Sequence, residues 1–271
     1  MRRCGGFMGF SRIALGVFFC ATSVLGAASS AEAGLFRLRV EDVASGIGVV
    51  LTDNGVGDLD LTEGSISFAG ALGSLNVSTS VGLSHPEIGD PHQAALHLNG
   101  LVTTSGGGSI RLSIQDTGFT IGLGHGEAHA NGVFSANLNM GTQLPGSPTS
   151  TIGAQSWVNP NNAVRSFGAD QATPAVLGAI GALPLGSIAI FDPAVIFNPS
   201  GGFAEDYASF LVSGPYSLFS EVTIGFGGKG RASFDLDTSV PVPEPGTLIL
   251  FGTGLLGIAR IARRRIAATK A

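Results

Sequence analysis

Apolar and polar residues alternate along most of the chain between Gly34 and Val240. The stretch Phe36-Arg37-Leu38-Arg39-Val40, for example, sets apolar and charged residues in turn. Side chains two residues apart share one face of a strand, so this pattern predicts half-buried β-strands. The other predicted strands are 48–51, 65–69, 74–81, 94–103, 109–114, 119–123, 132–139, 208–212, 217–226 and 231–236.

Clusters of glycine, asparagine, aspartate, proline and serine separate the predicted strands. Turns are predicted at Asp53-Asn54-Gly55, Asn99-Gly100, Asn131-Gly132 and 227–230. No helical periodicity is sustained before the C-terminal tail. Many short strands with turn-rich connections predict an all-β domain over residues 34–240, an antiparallel β-sandwich of jelly-roll or immunoglobulin-like type.

Residues 144–199 follow the alternating pattern less regularly and are rich in proline, asparagine and glycine. Two interpretations stay open for this region: a long excursion from the sandwich, or an insert of mixed structure. Within it, residues 172–185 are compatible with one short helix.

The N-terminal segment has the layout of a signal peptide. Three arginines lie within the first twelve residues, and an apolar core follows at 13–25. The small residues Ala31 and Ala33 predict cleavage before Gly34, which makes residues 1–33 a removable segment. Both cysteines of the chain lie in that segment. The mature protein is therefore expected to have neither disulfides nor thiolate chemistry.

The C-terminal segment, residues 241–271, combines three elements in order. Pro243-Glu244-Pro245 belongs to an extended proline motif, because proline fixes φ and disfavours helix in the residue before it. An apolar run at 247–262 predicts a transmembrane helix of about 24 Å at 1.5 Å per residue. A basic tail at 263–271 then predicts a cytoplasmic end. The arginines that stop the helix are Arg260, Arg263, Arg264 and Arg265.

This layout resembles the PEP-CTERM sorting signal of Gram-negative bacteria. The resemblance is carried by Pro243-Glu244-Pro245, the apolar run and the arginine cluster. It implies recognition by an exosortase, an integral-membrane cysteine protease that cuts near the motif, together with the export machinery. It also implies anchoring in the inner membrane before processing, then release to the cell surface or the extracellular matrix. Such proteins are often found in strains that make extracellular polysaccharide, which is the partner this resemblance implies.

Residues 34–240 are called the ectodomain below. Charged residues make up only 12% of the whole chain, about half of the usual ~25%. The ectodomain carries 17 acidic and six basic residues, a net charge near −11. A domain with this charge repels phosphate backbones, so nucleic acid is excluded as a partner. The passages 52–58 and 230–237 also resemble uncharacterised PEP-CTERM ectodomains, a resemblance that implies no activity.

One candidate metal cluster consists of His125, Glu127 and His129. On a strand these three positions project to one face, where two imidazoles and a carboxylate can share a metal. The spacing is not that of the helical H-E-x-x-H motif. The alternative is a polar strand face or loop edge, and we favour that alternative.

A second candidate cluster consists of Asp53, Asp58 and Asp60. Oxygen-rich loops containing glycine suit Ca²⁺, although this spacing does not match the EF-hand loop. The alternative is a turn whose aspartates bond their own backbone, which we favour. We therefore predict no resident cofactor or metal, with Ca²⁺ as the one ion the sequence suggests.

Sequence motifs of catalysis are absent: there is no nucleophile elbow, no P-loop and no dinucleotide fingerprint. The main hypothesis is an exported, non-catalytic surface or matrix protein with a structural or interaction role. The alternative is a secreted carbohydrate-active or hydrolytic enzyme on a sandwich scaffold, which would need two carboxylates facing each other in a cleft. Adhesion to a partner or surface is a third hypothesis, and it would need an exposed apolar or flat polar patch.

Overall fold

The computed structural model describes residues 34–89, 92–120, 130–140, 151–197 and 202–240. These parts of the chain contain thirteen β-strands. The first seven are β1 Arg37–Asp42, β2 Ile47–Thr52, β3 Ser65–Leu72, β4 Leu75–Leu83, β5 Ala95–Thr104, β6 Gly108–Phe119 and β7 Ala130–Met140. The remaining six are β8 Thr151–Asn159, β9 Gln171–Val176, β10 Ile188–Phe197, β11 Gly202–Val212, β12 Tyr216–Phe226 and β13 Gly230–Ser239.

The strands form two antiparallel sheets. The seven-stranded sheet has the order β10-β8-β12-β6-β1-β2-β9, and the six-stranded sheet has the order β11-β7-β13-β5-β4-β3. The prediction of an all-β, sandwich-like ectodomain is therefore confirmed. Thirteen strands exceed the roughly seven to nine of an immunoglobulin domain and the roughly eight of a jelly roll.

A hydrophobic core lies between the two sheets. It contains Leu38 of β1 and Leu112 of β6 from the larger sheet, and Leu98 of β5 and Leu236 of β13 from the smaller one, all fully buried. The alternation in the sequence explains this arrangement, because most of the inward-pointing residues at alternate positions of β1, β5 and β13 are apolar. Burying such side chains is the main favourable contribution to folding.

Three strands lie in residues 144–199, the region for which the sequence allowed two interpretations. Residues 144–199 hold β8, β9 and β10, and β8 is an interior strand of the larger sheet between β10 and β12. The region is thus largely part of the sandwich. Its apolar residues alternate with polar or small ones only over the first part of β8, which obscured the pattern.

The helix predicted at 172–185 is wrong. Residues 171–176 form the edge strand β9, which pairs with β2, and residues 177–184 have no regular structure. Pro174 is tolerated in β9 because an edge strand leaves one side of its backbone unpaired. The carbonyl groups of Gly178 and Gly181 accept hydrogen bonds from arginine side chains, which takes the place of helical pairing.

Two of the four predicted turns are confirmed and two are wrong. Asp53-Asn54-Gly55 is a turn in which Asn54 has a φ of 56°. Of the turn predicted at 227–230, residues 227–229 connect β12 to β13, which begins at Gly230. Asn99-Gly100 lies inside β5 and Asn131-Gly132 inside β7. Gly100 is buried and pairs with Phe234 of β13, so long-range pairing overrides its local turn preference.

Gly34, the first described residue, packs tightly against β6. A Cβ on Gly34 would lie 2.3 Å from Asp116 Oδ1 and 2.4 Å from the Thr117 carbonyl oxygen, so only glycine fits. Leu35 N donates to Thr117 Oγ1 at 2.8 Å. The residue that follows the predicted cleavage site is therefore already part of the folded domain.

Both ends of the chain lie outside the described residues. These ends include Ala31 and Ala33 of the predicted cleavage site, the proline motif, the apolar run 247–262 and the basic tail. Within the parts that the structure describes, no helix has the length and apolar character needed to cross a membrane.

The residues on either side of β9, 160–170 and 177–187, are here called the cover segment, and they pack on the outer face of the seven-stranded sheet. A second buried apolar cluster forms there from Val50, Trp157, Phe167 and Phe219. Phe219 contacts both other aromatic rings, at centroid distances of 4.8 Å to Trp157 and 5.8 Å to Phe167. The part of the larger sheet beneath this cluster is consequently buried on both faces.

Arg39 links the cover segment to the sheet. Its side chain is only 2% exposed. The guanidinium pairs with Glu41 on the same strand, and it donates to the carbonyl oxygens of Phe167 and Gly178, each at 2.8 Å. A planar guanidinium suits this role because it presents five N–H donors in a fixed fork. Its charge is compensated by Glu41, which a buried cation requires.

The charges around Arg39 continue as an alternating chain. Glu41 accepts from Arg111 at 3.1 Å, and Arg111 lies 3.6 Å from Glu221. Glu221 in turn pairs with Arg165 of the cover segment at 3.3 Å. Arg165 also donates to the Gly181 carbonyl, and burial lowers the pKa of its guanidinium. We call these five residues the arginine network.

Removing Arg39 should destabilise the ectodomain strongly. The variant Arg39→Ala leaves Glu41 with one partner and two carbonyl groups of the cover segment without donors. The expected loss in free energy of unfolding is about 3–5 kcal/mol, the usual cost of breaking a buried ion pair. Urea unfolding followed by tryptophan fluorescence measures it, because Trp157 lies under the cover segment.

The matched control is Arg231→Ala, which removes an exposed arginine from the other sheet. Its effect should stay within about 0.5 kcal/mol. Equal unfolding midpoints for Arg39→Ala and the unaltered protein would show that the arginine network contributes nothing.

Candidate functional site

The outer face of the six-stranded sheet differs from the covered face of the larger sheet. Along β5 every second residue is buried, and the residues between them are half-buried. On β13 the corresponding residues are exposed or half-buried. We call this surface the open face, as far as the described residues define it.

Four polar side chains on the open face form a compact cluster. His97 and Asn99 project from β5, and Asp235 and Asp237 project from β13. The register pairs His97 with Asp237 and Asn99 with Asp235. Each strand contributes two residues at alternate positions, which share one face because the side-chain period of a strand is two. The pairing of β5 with β13 therefore brings the four together.

The cluster is organised around the imidazole. His97 Nδ1 lies 2.5 Å from Asp237 Oδ1 and 3.5 Å from Asp235 Oδ1. On the other side of the ring, Asn99 Nδ2 lies 2.9 Å from His97 Nε2. The side chain of His97 is 19% exposed, whereas Asp235 and Asp237 are about half exposed. Three potential metal ligands, one from each of these residues, lie within 4.8 Å of one another.

The surroundings shift the pKa values of two residues in this cluster, His97 and Asp235. The hydrogen bond that His97 donates to Asp237 raises the pKa of His97, against the opposing effect of burial. Burial raises the pKa of Asp235, and the neighbouring His97 partly offsets it. Asp235 Oδ1 is buried and has no hydrogen-bond donor among the described residues. A buried acceptor without a donor costs free energy, so this oxygen is the unsatisfied group of the cluster.

The three aspartates singled out in the sequence lie in the loop between β2 and β3. Asp58 accepts three backbone hydrogen bonds, from Asn54, Asp60 and Ser67. Asp53 accepts from Gly64 N at 2.9 Å. These are the contacts of a turn whose aspartates bond the backbone, which is the interpretation favoured from the sequence.

The pKa values in this loop follow the same contacts. Hydrogen bonds from the side chain and backbone of Thr62, and from Ser65, lower the pKa of Asp60. Burial raises the pKa of Asp53. Most carboxylate oxygens of the loop are engaged by backbone or side-chain donors of the loop itself, so Ca²⁺ would have to displace those donors.

The other sequence candidate, His125, Glu127 and His129, lies outside the described residues. The sequence alone did not reveal the His97 cluster, because its residues come from two strands that are far apart in the chain. The alternating pairs His97-x-Asn99 and Asp235-x-Asp237 each indicate one polar strand face. His97 and Asp237 are 140 residues apart, and nothing in one sequence states that β5 pairs with β13.

A groove of about 500 Å³ lies at the far end of the same two strands. It is lined by Lys229 and Arg231, and by the polar side chains of Asn76, Thr103 and Ser105. The ectodomain has six lysine and arginine residues. The other four, Arg37, Arg39, Arg111 and Arg165, form ion pairs in or near the arginine network. The groove thus offers positive charge and hydroxyl and amide groups on an otherwise acidic domain.

Comparison with known proteins identifies the C-terminal segment. Residues 241–265 match the model of the PEP-CTERM protein-sorting motif. The match covers the proline motif, the apolar run and the arginines through Arg265. A search of curated proteins finds no match to the chain.

Solved structures resemble the ectodomain only distantly. The enzymatically active domain of bacteriophage CBA120 tailspike protein 4 is 13% identical, with a TM-score of 0.25 over 69% of this chain and 21% of that chain. This chain therefore spans only about a fifth of the tailspike domain. The carbohydrate-binding module TmCBM61, solved with β-1,4-galactotriose, is 11% identical, with a TM-score of 0.21 over 62% of this chain and 90% of that chain.

The aspartate loop should contribute to stability without calcium. Asp58→Ala removes an acceptor of three backbone N–H groups, and the expected loss is about 1–3 kcal/mol of unfolding free energy. Asp58→Asn retains one acceptor oxygen and should lose less. Thermal unfolding with calcium or with a chelator measures both effects. A calcium-dependent rise in the unfolding temperature that disappears in Asp58→Ala would contradict this account.

His97 should titrate above its ordinary pKa of 6.5 in the metal-free protein. Because folding raises this pKa, the His97–Asp237 pair stabilises the fold at low pH, and its contribution is lost as pH rises through the folded value. NMR of the imidazole protons during a pH titration measures the shift. Asp237→Asn should lower the pKa below that of the unaltered protein, and Asp235→Asn should lower it less. Identical titrations in all three proteins would refute the pairing.

Proposed function

We propose that this chain, which carries a PEP-CTERM protein-sorting motif, is an exosortase substrate whose β-sandwich ectodomain acts outside the inner membrane. The observation that carries the proposal is the match to the sorting motif at 241–265. The apolar run at 247–262 would anchor the precursor in the inner membrane. Exosortase would then cut near Pro243-Glu244-Pro245 and release the ectodomain to the cell surface or the extracellular matrix.

The folded domain is consistent with this order of events. Its last strand, β13, ends at Ser239, and the backbone of Val240 still donates to Ala94 O at 2.9 Å. The proline motif follows directly, at residue 241. A short, extended proline segment would hold the motif beside the folded domain in a shape that a protease cleft can bind.

We propose a structural or interaction role for the ectodomain, without catalysis. Hydrolysis of a glycoside by two carboxylates needs them on opposite sides of the scissile bond. Asp235 and Asp237 instead project from one strand toward the same side, next to an imidazole, and both are about half exposed. This arrangement suits binding better than acid–base catalysis across a cleft. The alternative of a secreted hydrolase gains no specific support from it.

The partner class we propose is an extracellular polysaccharide. The groove beside Lys229 and Arg231 supports this choice because it combines hydroxyl, amide and cationic groups on a half-exposed sheet face. Acidic sugars would be favoured over neutral ones there because Lys229 and Arg231 line the groove. The negative charge elsewhere on the ectodomain would keep such polymers from binding outside it. Export to the outside of the cell would place the groove where such polymers are found.

Processing should remove both ends of the chain. In a Gram-negative host that makes an exosortase, mass spectrometry of the native protein should find Gly34 at the N-terminus and no residues after the proline motif. Glu244→Ala should leave the arginine tail attached and keep the protein in the inner-membrane fraction. The matched control is Thr247→Ser, which leaves Pro243-Glu244-Pro245 intact and should be processed normally.

Retention of the arginine tail in the unaltered protein, in a host with active exosortase, would contradict sorting by cleavage. Equal processing of the Glu244→Ala variant would show that the motif is not what the protease recognises.

A further inference from the structure

The His97 cluster has the donor set of a metal site rather than of a simple ion pair. It offers one imidazole nitrogen and two carboxylate oxygens from neighbouring strands, all within 4.8 Å. We propose that His97, Asp235 and Asp237 bind one divalent transition-metal ion of the zinc class, and that Asn99 positions the imidazole. This inference does not depend on the proposed sorting and matrix function.

The spacing of the donors is close to that of a metal site. Zinc bonds to histidine nitrogen and carboxylate oxygen are about 2.0–2.2 Å long, so ligand atoms around a tetrahedral ion lie roughly 3.3 Å apart. His97 Nδ1 is 2.5 Å from Asp237 Oδ1 and 3.5 Å from Asp235 Oδ1. Both distances differ from the tetrahedral value by less than about 1 Å. Side-chain rotations are sufficient to close the difference.

The buried oxygen of Asp235 is an independent indication. Asp235 Oδ1 faces the cluster, is buried, and receives no hydrogen bond from any described residue. The nearest donor group is His97 Nδ1 at 3.5 Å, which is too far for a good hydrogen bond, so this oxygen has lost water without a close donor. A cation bound between Asp235 and Asp237 would satisfy this oxygen. It would also relieve the repulsion between two carboxylates on one strand.

Asn99 provides the support that a metal-bound histidine requires. A histidine that binds metal through one nitrogen usually donates its other N–H to an oxygen. The Asn99 amide contacts His97 Nε2 at 2.9 Å. Oxygen and nitrogen of an amide are assigned from the surrounding hydrogen bonds. With its oxygen toward the ring, Asn99 accepts from Nε2–H and leaves the Nδ1 lone pair for the ion.

The donor set favours a zinc-class ion over calcium. Calcium takes six to eight oxygen ligands, whereas three side chains including an imidazole suit a four-coordinate ion that completes its shell with water. The half-exposed aspartates leave that fourth position accessible to solvent. The ion would also join β5 to β13. The ectodomain contains no cysteine, so a metal is the cross-link available to this domain.

Equilibrium dialysis against zinc chloride, followed by elemental analysis, tests the proposal on the full-length protein in detergent. The unaltered protein should take up one equivalent at this site at micromolar zinc and neutral pH, in addition to any zinc held elsewhere. Asp235→Asn preserves the size of the side chain and should weaken binding at least about tenfold, and His97→Ala should abolish it. Asn99→Ala should weaken binding about tenfold to a hundredfold, the usual cost of losing a supporting contact.

The control is the double substitution His125→Ala with His129→Ala, which removes the other histidine cluster. It should leave the proposed site intact, and NMR of the His97 imidazole should still report zinc binding there. Unchanged zinc uptake in both His97→Ala and Asp235→Asn would overturn the proposal, as would absence of zinc binding in the unaltered protein. Binding of calcium in preference to zinc would refute the class of ion.

Discussion

The arrangement of this ectodomain depends on a buried arginine. Arg39 lies 2% exposed between the larger sheet and the cover segment, and its charge is tolerated because Glu41 neutralises it and two backbone carbonyls accept its remaining donors. Burial of an uncompensated guanidinium would cost far more than the cover segment gains. The alternating chain from Arg39 to Arg165 satisfies this requirement with side chains from four separate parts of the sequence.

This constraint gives the two faces of the sandwich different roles. Four of the six basic residues of the ectodomain, Arg37, Arg39, Arg111 and Arg165, are committed to holding or supporting the cover segment. The remaining two, Lys229 and Arg231, line the groove of the other sheet. The outer face of the larger sheet is thereby covered. The smaller sheet carries the groove and the His97 cluster. Binding functions are expected on the open face, which no described segment covers.

The features of the fold that depend on a local sequence pattern could be predicted from the sequence. Strict alternation in β1, β5, β12 and β13 indicated the strands, and the Asp58 loop was correctly interpreted as a turn that bonds its own backbone. The sorting signal was also recognisable, because its three elements are contiguous. The sequence failed where pairing at long range decides the outcome. Asn99-Gly100 has the local preference of a turn, but Gly100 pairs with β13 in the structure. A short helix was predicted at 172–185 because the contacts of this region with Arg39 and Arg165 cannot be inferred from one sequence.

If the arginine network fixes the cover segment to the sheet, the amides of this segment should be protected from exchange as well as those of a strand. Hydrogen exchange of the folded protein, resolved residue by residue, tests this most directly. The amides of Leu177 and Gly181 donate to Gly46 O and Ser166 O at 2.8 Å, and the Arg165 amide donates to Gln115 Oε1 at 3.1 Å. These three amides should exchange as slowly as those of β12. Exchange at the rate of an exposed loop would show that the cover segment opens independently and that the face it covers is not closed.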